Sequence, residues 1–155
     1  STRPVANLSG LTRFERDVLG RAGAKAVVVA LGINDILRTR TDADRIIAGL
    51  RNLTQRSHAR GLRVVGATLM PFGGHVGHTS RLEAIRESVN QQIRSGGVFD
   101  AVVDFDRALR DPYNPHKLRP QYDCGDHLHP SDEGYQKMAE VLRLSDLKGA
   151  AAATL

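Results

Sequence analysis

Cysteine is nearly missing from this chain. The single thiol, Cys124, rules out an intrachain disulfide framework and leaves the redox compartment open. Tryptophan is absent, and aromatics make up only 5% of the 155 residues. Long apolar runs are lacking too. The longest, Ala26 to Leu31, falls far short of a membrane span. The opening Ser1-Thr2-Arg3-Pro4 is polar and carries no signal-peptide pattern. A strong excess of one charge sign is also missing. Lys and Arg number 22 against 17 Asp and Glu, giving +5 and a pI near 9.9. Such a balance brings polyanionic partners to mind. However, the arginines are scattered from Arg3 to Arg143, often beside acids, as in Arg13-Phe14-Glu15-Arg16-Asp17. No basic run with interleaved aromatics exists, so a nucleic-acid partner is not expected.

What is present suits one soluble globular domain: 41% hydrophobic and 25% charged residues, in a chain long enough for one real core and too short for two ordinary ones. Helical and strand signals alternate. Thr12-Arg13-Phe14-Glu15 has capping-box spacing and predicts a short helix ending near Gly20. Lys25 to Leu31 is a continuous Val/Ala/Leu run, as in a strand buried on both faces. Thr41-Asp42-Ala43-Asp44 opens a helix with Ile46, Ile47, Leu50 and Leu53 at helical spacing, ending near Gly61. Leu62 to Leu69 reads as a second buried strand, stopped by Pro71 and Gly73-Gly74. Ser80-Arg81-Leu82-Glu83 starts a helix with Leu82, Ile85, Val89 and Ile93 on one face, stopped by Gly96-Gly97. Phe99 to Phe105 is the third strand, followed by a long Pro/Asp/Tyr-rich connection from Asp111 to Gly125 and a last helix from Ser131 to Leu144. The tail, Gly149 to Leu155, is expected to fray. This alternation predicts a parallel sheet in a three-layer α/β/α sandwich with right-handed crossovers.

Ligands of such sheets gather at the carboxyl ends of the strands. Gly32-Ile33-Asn34-Asp35, Met70-Pro71-Phe72-Gly73-Gly74 and the segment from Asp104 to His129 all fall at that edge. The three loops can face one cleft, with Gly32, Pro71, Phe72 and Tyr122 as substrate-side candidates. In Asp126-His127-Leu128-His129-Pro130, a carboxylate three residues before an imidazole can accept from Nδ1–H, fix the tautomer and leave Nε2 free as a base. On spacing alone the simpler reading is favoured, in which Asp126 tidies a loop and His129 is a capping residue. Asn34 can donate its amide to an oxyanion, or simply bond the local backbone of an Asn-Asp turn. His75, His78, His127 and His129 with Cys124 match no closed zinc pattern, and no metal site is expected. Tyr113, Tyr122 and His116 can line the cleft or pin the long loop.

In order along the chain, these blocks resemble the SGNH hydrolases, also called GDSL-type esterases and lipases. Gly32-Ile33-Asn34-Asp35 is similar to the family's G-x-N-D block. Gly66-Ala67-Thr68-Leu69-Met70-Pro71-Phe72 is similar to the strand and loop that follow it, and Val103-Asp104-Phe105-Asp106 to the strand before the last catalytic loop. Asp126-His127-Leu128-His129-Pro130, with Gly134-Tyr135 and Met138-Ala139, resembles the terminal D-x-x-H-P block and its helix. The resemblance implies a flavodoxin-like sandwich and an ester hydrolase without metal or organic cofactor, acting on a small ester substrate. His129 would be the general base, Asp126 its orienting carboxylate and Asn34 an oxyanion donor. A secreted or extracytoplasmic setting fits the family.

The family's Gly-Asp-Ser nucleophile block, and the glycine that donates a second oxyanion N–H, have no counterpart in these residues. Ser9-Gly10 lacks the preceding Gly-Asp, and Ser1, Ser57, Ser80, Ser88, Ser95, Ser131 and Ser145 fall in helical or terminal contexts. The chain therefore reads as the C-terminal two-thirds of such an enzyme, with the serine supplied by a separate N-terminal segment. On that reading the Lys25–Leu31 strand keeps an open edge for the missing strand. The competing expectation is a truncated or degenerate hydrolase fold that acts as a binding module.

Overall fold

Valine fills positions 27 to 29, and its branched Cβ favours the pleated surface on which it is found. The structure, a computed structural model, describes the backbone of residues 3–8, 11–17, 25–31 and 42–152, with side chains from 26–31 and 42–145. In chain order the elements are β1 (Arg3–Leu8), β2 (Leu11–Asp17), β3 (Lys25–Leu31), α1 (Ala43–Ala59), β4 (Arg63–Ala67), α2 (Ser80–Ser95), β5 (Ala101–Val103), α3 (Phe105–Leu109), β6 (Arg110–Asp111), β7 (Asn114–Leu118), a 3₁₀ turn (Pro120–Tyr122) and α4 (Asp132–Ala152).

The main sheet has the order β1-β2-β3-β4-β5. β3, β4 and β5 are parallel, with Ala26 opposite Arg63 and Val65 opposite Ala101. Alternate residues of each strand feed opposite faces. Val27, Val29 and Val64 pack with Ile47, Leu50 and Leu53 of α1 and Ile85, Val89 and Ile93 of α2. Ala26, Val28, Val65 and Val103 face the other way, toward Met138, Val141 and Leu142 of α4. Two helices on one side and one on the other make the three-layer α/β/α sandwich that the alternation predicts.

The helices start where side chains cap them. The Asp42 carboxylate accepts from the Arg45 N–H at 2.9 Å, the Thr79 hydroxyl from Leu82 N–H at 3.1 Å, and Asp104 from Arg107 N–H at 3.1 Å. The last of these caps turns the chain into α3 at Phe105, so the strand expected through Phe105 ends at Val103.

Two expectations are corrected. The helix predicted from the capping-box spacing at Thr12 to Glu15 is instead β2. This strand pairs antiparallel with β3 from Leu11↔Leu31 to Asp17↔Lys25 and with β1 on its other side. A ladder along the full length of β3 outweighs a local cap at the start of a costly helical nucleus. For the same reason β3 has no open edge, since β2 covers it. The long connection from Asp111 to Gly125 has structure of its own. It holds the β6–β7 hairpin, with Arg110 opposite Leu118, and the 3₁₀ turn.

Candidate active site

The segment between the 3₁₀ turn and α4 closes on itself. Ser131 N–H donates to the Tyr122 carbonyl at 2.8 Å and Cys124 N–H to the His129 carbonyl at 3.1 Å, while the Ser131 hydroxyl donates to the Gln121 carbonyl at 2.6 Å. Inside this loop, Asp126 Oδ2 meets His129 Nδ1 at 2.6 Å. Asp126 Oδ1 accepts from the N–H groups of Leu128 and His129, each at 2.9 Å, and from the Cys124 thiol at 3.2 Å. The imidazole of His129, then these backbone donors, hold the Asp126 carboxyl far below the usual carboxylate range. With Asp126 ionised, His129 donates from Nδ1, and Nε2 is left to accept a proton. Side-chain exposure of 52% for His129 and 42% for Asp126 leaves the pair open to solvent.

A second Asp–His pair is interleaved with the first. Asp123 Oδ2 meets His127 Nδ1 at 2.6 Å, and its Oδ1 accepts from the N–H of Gly125 at 2.8 Å and of His127 at 3.0 Å. Burial on its own would raise the Asp123 carboxyl, but the donors from Gly125 and His127 overrule it and hold it low. The sequence does not single out Asp123. The only signal was an acid four residues before His127, and one turn-forming aspartate in a loop rich in them does not stand out.

The loop's place in the molecule follows from two glycines after β4. Gly73 donates its N–H to the His116 carbonyl of β7 at 2.6 Å. At Gly74 (φ 93) an added Cβ would lie 3.1 Å from the His127 ring. The Asp126–His129 loop, the loop after β4 and the β6–β7 hairpin thus meet at the carboxyl end of the sheet. β3 ends at Leu31 and, parallel to β4, points its chain toward the same edge. Gly32 and Asn34 lie outside the described residues.

Among the other candidates, Pro71 is buried, and Phe72 is fully buried in the core with its ring edge against His78, the centroids 4.7 Å apart. Phe72 therefore shapes the loop from beneath. Tyr122 is half-buried at the end of the 3₁₀ turn. The described serines are largely occupied: Ser57 is fully buried and donates to the Leu53 carbonyl at 2.9 Å, Ser95 donates to Gln92 at 2.9 Å, and Ser131 is tied as above.

An ion network unforeseen from the sequence underpins the loop after β4. Asn90 binds both backbone groups of Leu69, at 2.7 and 2.9 Å, and Arg86 reaches the same carbonyl at 3.2 Å. Arg86 also contacts Glu83 at 2.6 Å and Asp106 at 3.0 Å, while Arg94 joins Asp104 and Asp106, each at 2.8 Å. His78 and His116 converge on Glu83, each at 2.9 Å. Burial would raise the Glu83 carboxyl, yet Arg86 and the two imidazoles bring it down to about 2. A cleft of about 460 Å³ opens here, lined by Gly74, Ser80, Glu87, Asn114, His116 and Lys117 among others. Glu83, Glu87 and His116 come close enough together to hold a cation, as do Asp123, Cys124 and Asp126. In the first group Glu83 is already engaged by Arg86 and Glu87 lies 3.4 Å from His116 Nδ1; in the second each carboxylate is engaged by an imidazole.

A profile of the GDSL-like lipase/acylhydrolase family matches residues 1–137. No curated protein matches the chain. Among solved structures, an acylhydrolase candidate from Bacteroides fragilis superposes with a TM-score of 0.64 at 20% identity, covering 79% of this chain and 61% of that one. A GDSL-like lipase from Bacteroides thetaiotaomicron gives 0.61 at 16% identity, covering 78% and 61%. A lipolytic-protein candidate of the G-D-S-L family from Desulfitobacterium hafniense gives 0.59 at 18% identity, covering 76% and 63%. At such identities the likeness speaks for the fold. The chain spans about 61% of the length of the first two structures.

Proposed function

The chain belongs to the GDSL-like lipase/acylhydrolase family, and from that membership we propose that it supplies the base, the orienting acid and an oxyanion donor of a serine ester hydrolase. The observation that carries the proposal is the 2.6 Å contact between Asp126 Oδ2 and His129 Nδ1 on an exposed loop. A carboxylate bonded to Nδ1 fixes the tautomer with Nε2 free, as a general base requires. In the reaction, His129 Nε2 takes the proton of an attacking serine hydroxyl. The Asn34 amide donates to the oxygen of the tetrahedral intermediate, and His129 returns the proton to the leaving alcohol. Water then releases the acid by the same route. The substrate is a small ester, and no step uses a cofactor. Gly32, Pro71 and Tyr122 are assigned to the substrate side of the site, with Phe72 supporting it from the core.

None of the serines here follows a Gly-Asp pair. We therefore assign the nucleophile to a Gly-Asp-Ser segment outside these 155 residues, contributed by a separate chain or by more of the same one. A second reading, a non-catalytic hydrolase fold that binds a partner, is favoured by one observation: β2 occupies the edge of β3 that such a segment would use.

Hydrolysis of short p-nitrophenyl esters separates the two. The chain alone should show negligible turnover, since removing a triad member leaves only residual catalysis. Co-expression with a segment carrying Gly-Asp-Ser should restore it, and His129→Ala should abolish what is restored. Turnover by the chain alone, blocked by a serine-directed phosphonate, would place the nucleophile among the visible serines, with Ser9 the first to mutate. A stable complex without activity would favour the binding module.

A further inference from the structure

Between Asp123 and Pro130 the chain makes two carboxylate grips that overlap. The first takes Gly125 N–H, His127 N–H and His127 Nδ1; the second takes Leu128 N–H, His129 N–H and His129 Nδ1. Asp126 itself sits inside the first grip, flanked by Gly125 at φ 121 and His127 at φ 61. Glycine adopts such a conformation freely. A histidine does so rarely and at a cost, so something must hold it there.

Exposure separates the two acids. The Asp123 side chain is 8% exposed, whereas that of Asp126 is 42% exposed. A carboxylate so withdrawn from water is tolerated only when its lone pairs are satisfied. Among the described residues, its ionic partner is His127 alone, with no arginine or lysine in reach. All three of its bonds are thus needed, which makes the grip stiff. His127 carries that stiffness outward, because its ring rests against Gly74 of the loop after β4.

We infer that Asp123 is a positioning residue of this site. By holding the two left-handed residues on either side of Asp126, it aims the Asp126 carboxylate at His129 Nδ1. His127 is the strut that seats the loop against the one that follows β4. The inference rests on the proposed hydrolase only for its effect on catalysis; the geometric part stands without it.

The tautomer of His129 in this chain, read from long-range ¹H–¹⁵N spectra at a pH where the ring is neutral and assigned with His129→Ala, tests the geometric part. In the unaltered protein the Nδ1–H form should dominate. Asp123→Ala should shift His129 toward Nε2–H, while circular dichroism shows that the fold is kept. Asp123→Asn, which retains an oxygen for both N–H groups, should leave His129 largely unchanged and alter only His127. If Asp123→Ala does not fold, Asp123→Glu, with the charge displaced by one methylene, takes its place with the same expected shift. A folded Asp123→Ala or Asp123→Glu variant with the His129 tautomer intact would overturn the inference.

In the complete hydrolase, Asp123→Ala should lower kcat on a p-nitrophenyl ester by about 10²-fold with little change in KM, the scale of a misplaced catalytic group. Should His129→Ala leave ester turnover intact, the hydrolase reading fails, and the tautomer result is unaffected by it.

Discussion

At the scale of single residues, the candidates divide by whether they meet reacting atoms or hold up those that do. Asn34 is assigned to the first group. In the complete enzyme, Asn34→Ala should lower kcat by about 10²–10³ and change KM little, because the amide meets charge only in the transition state. A lowered melting temperature with near-normal kcat would make Asn34 a turn residue. Phe72 belongs to the second group. It is fully buried, so Phe72→Ala should cost about 3–5 kcal/mol of stability in a denaturant titration. A variant that keeps its stability and loses only ester binding would return Phe72 to the cleft. The Asp126–His129 pair was legible in the sequence because a three-residue spacing is enough to bring a short acid to an imidazole. Asp123 was not, because its role depends on two backbone N–H groups and a withdrawn position that no spacing displays.

Elements were legible where burial marked them, as a continuous apolar run or at helical spacing. The valines of β3 and the helical spacing of Leu50, Leu53, Ile85, Val89 and Ile93 announced their layers. β2 was illegible for the opposite reason: it is a strand because β3 offers it a ladder, and a partner is not a local property. The junction of β4 and β5 shows the same dependence on neighbours. Gly66 sits in β4 with the Phe99 ring occupying the space where a Cβ would go. Gly66→Ala should therefore destabilise by about 1–3 kcal/mol through overpacking. Phe99→Ala in the same background should recover part of that loss, and chemical denaturation of the single and double variants measures the coupling. Additive effects would mean that the ring moves aside freely.

Across the whole molecule, one charge network joins α2, the loop after β4, the start of α3 and β7 through His78, Glu83, Arg86, Arg94, Asp106 and His116. Its pH dependence has a definite sign. Glu83 titrates at about 2 in the folded protein against 4.5 as its ordinary value, so it contributes stability that is complete above its unfolded pKa and is lost as pH falls through the folded one. Between about pH 5 and 2 the unaltered protein should lose stability more steeply than Glu83→Gln. Parallel slopes in denaturant titrations across that range would remove Glu83 from the account. The sheet carries a different consequence, one of time. β3 is laced to β2 by one row of its amides and to β4 by the other, since N–H directions alternate along a strand. Among the described residues, the buried clusters run through β3, β4 and β5 with their helices. Deuterium should then enter β3 at two rates, sooner at the amides facing β2 and only on global opening at those facing β4. The gap between the rates is the free energy needed to vacate that edge while the rest stays folded, and it sets how readily another strand could take the place of β2.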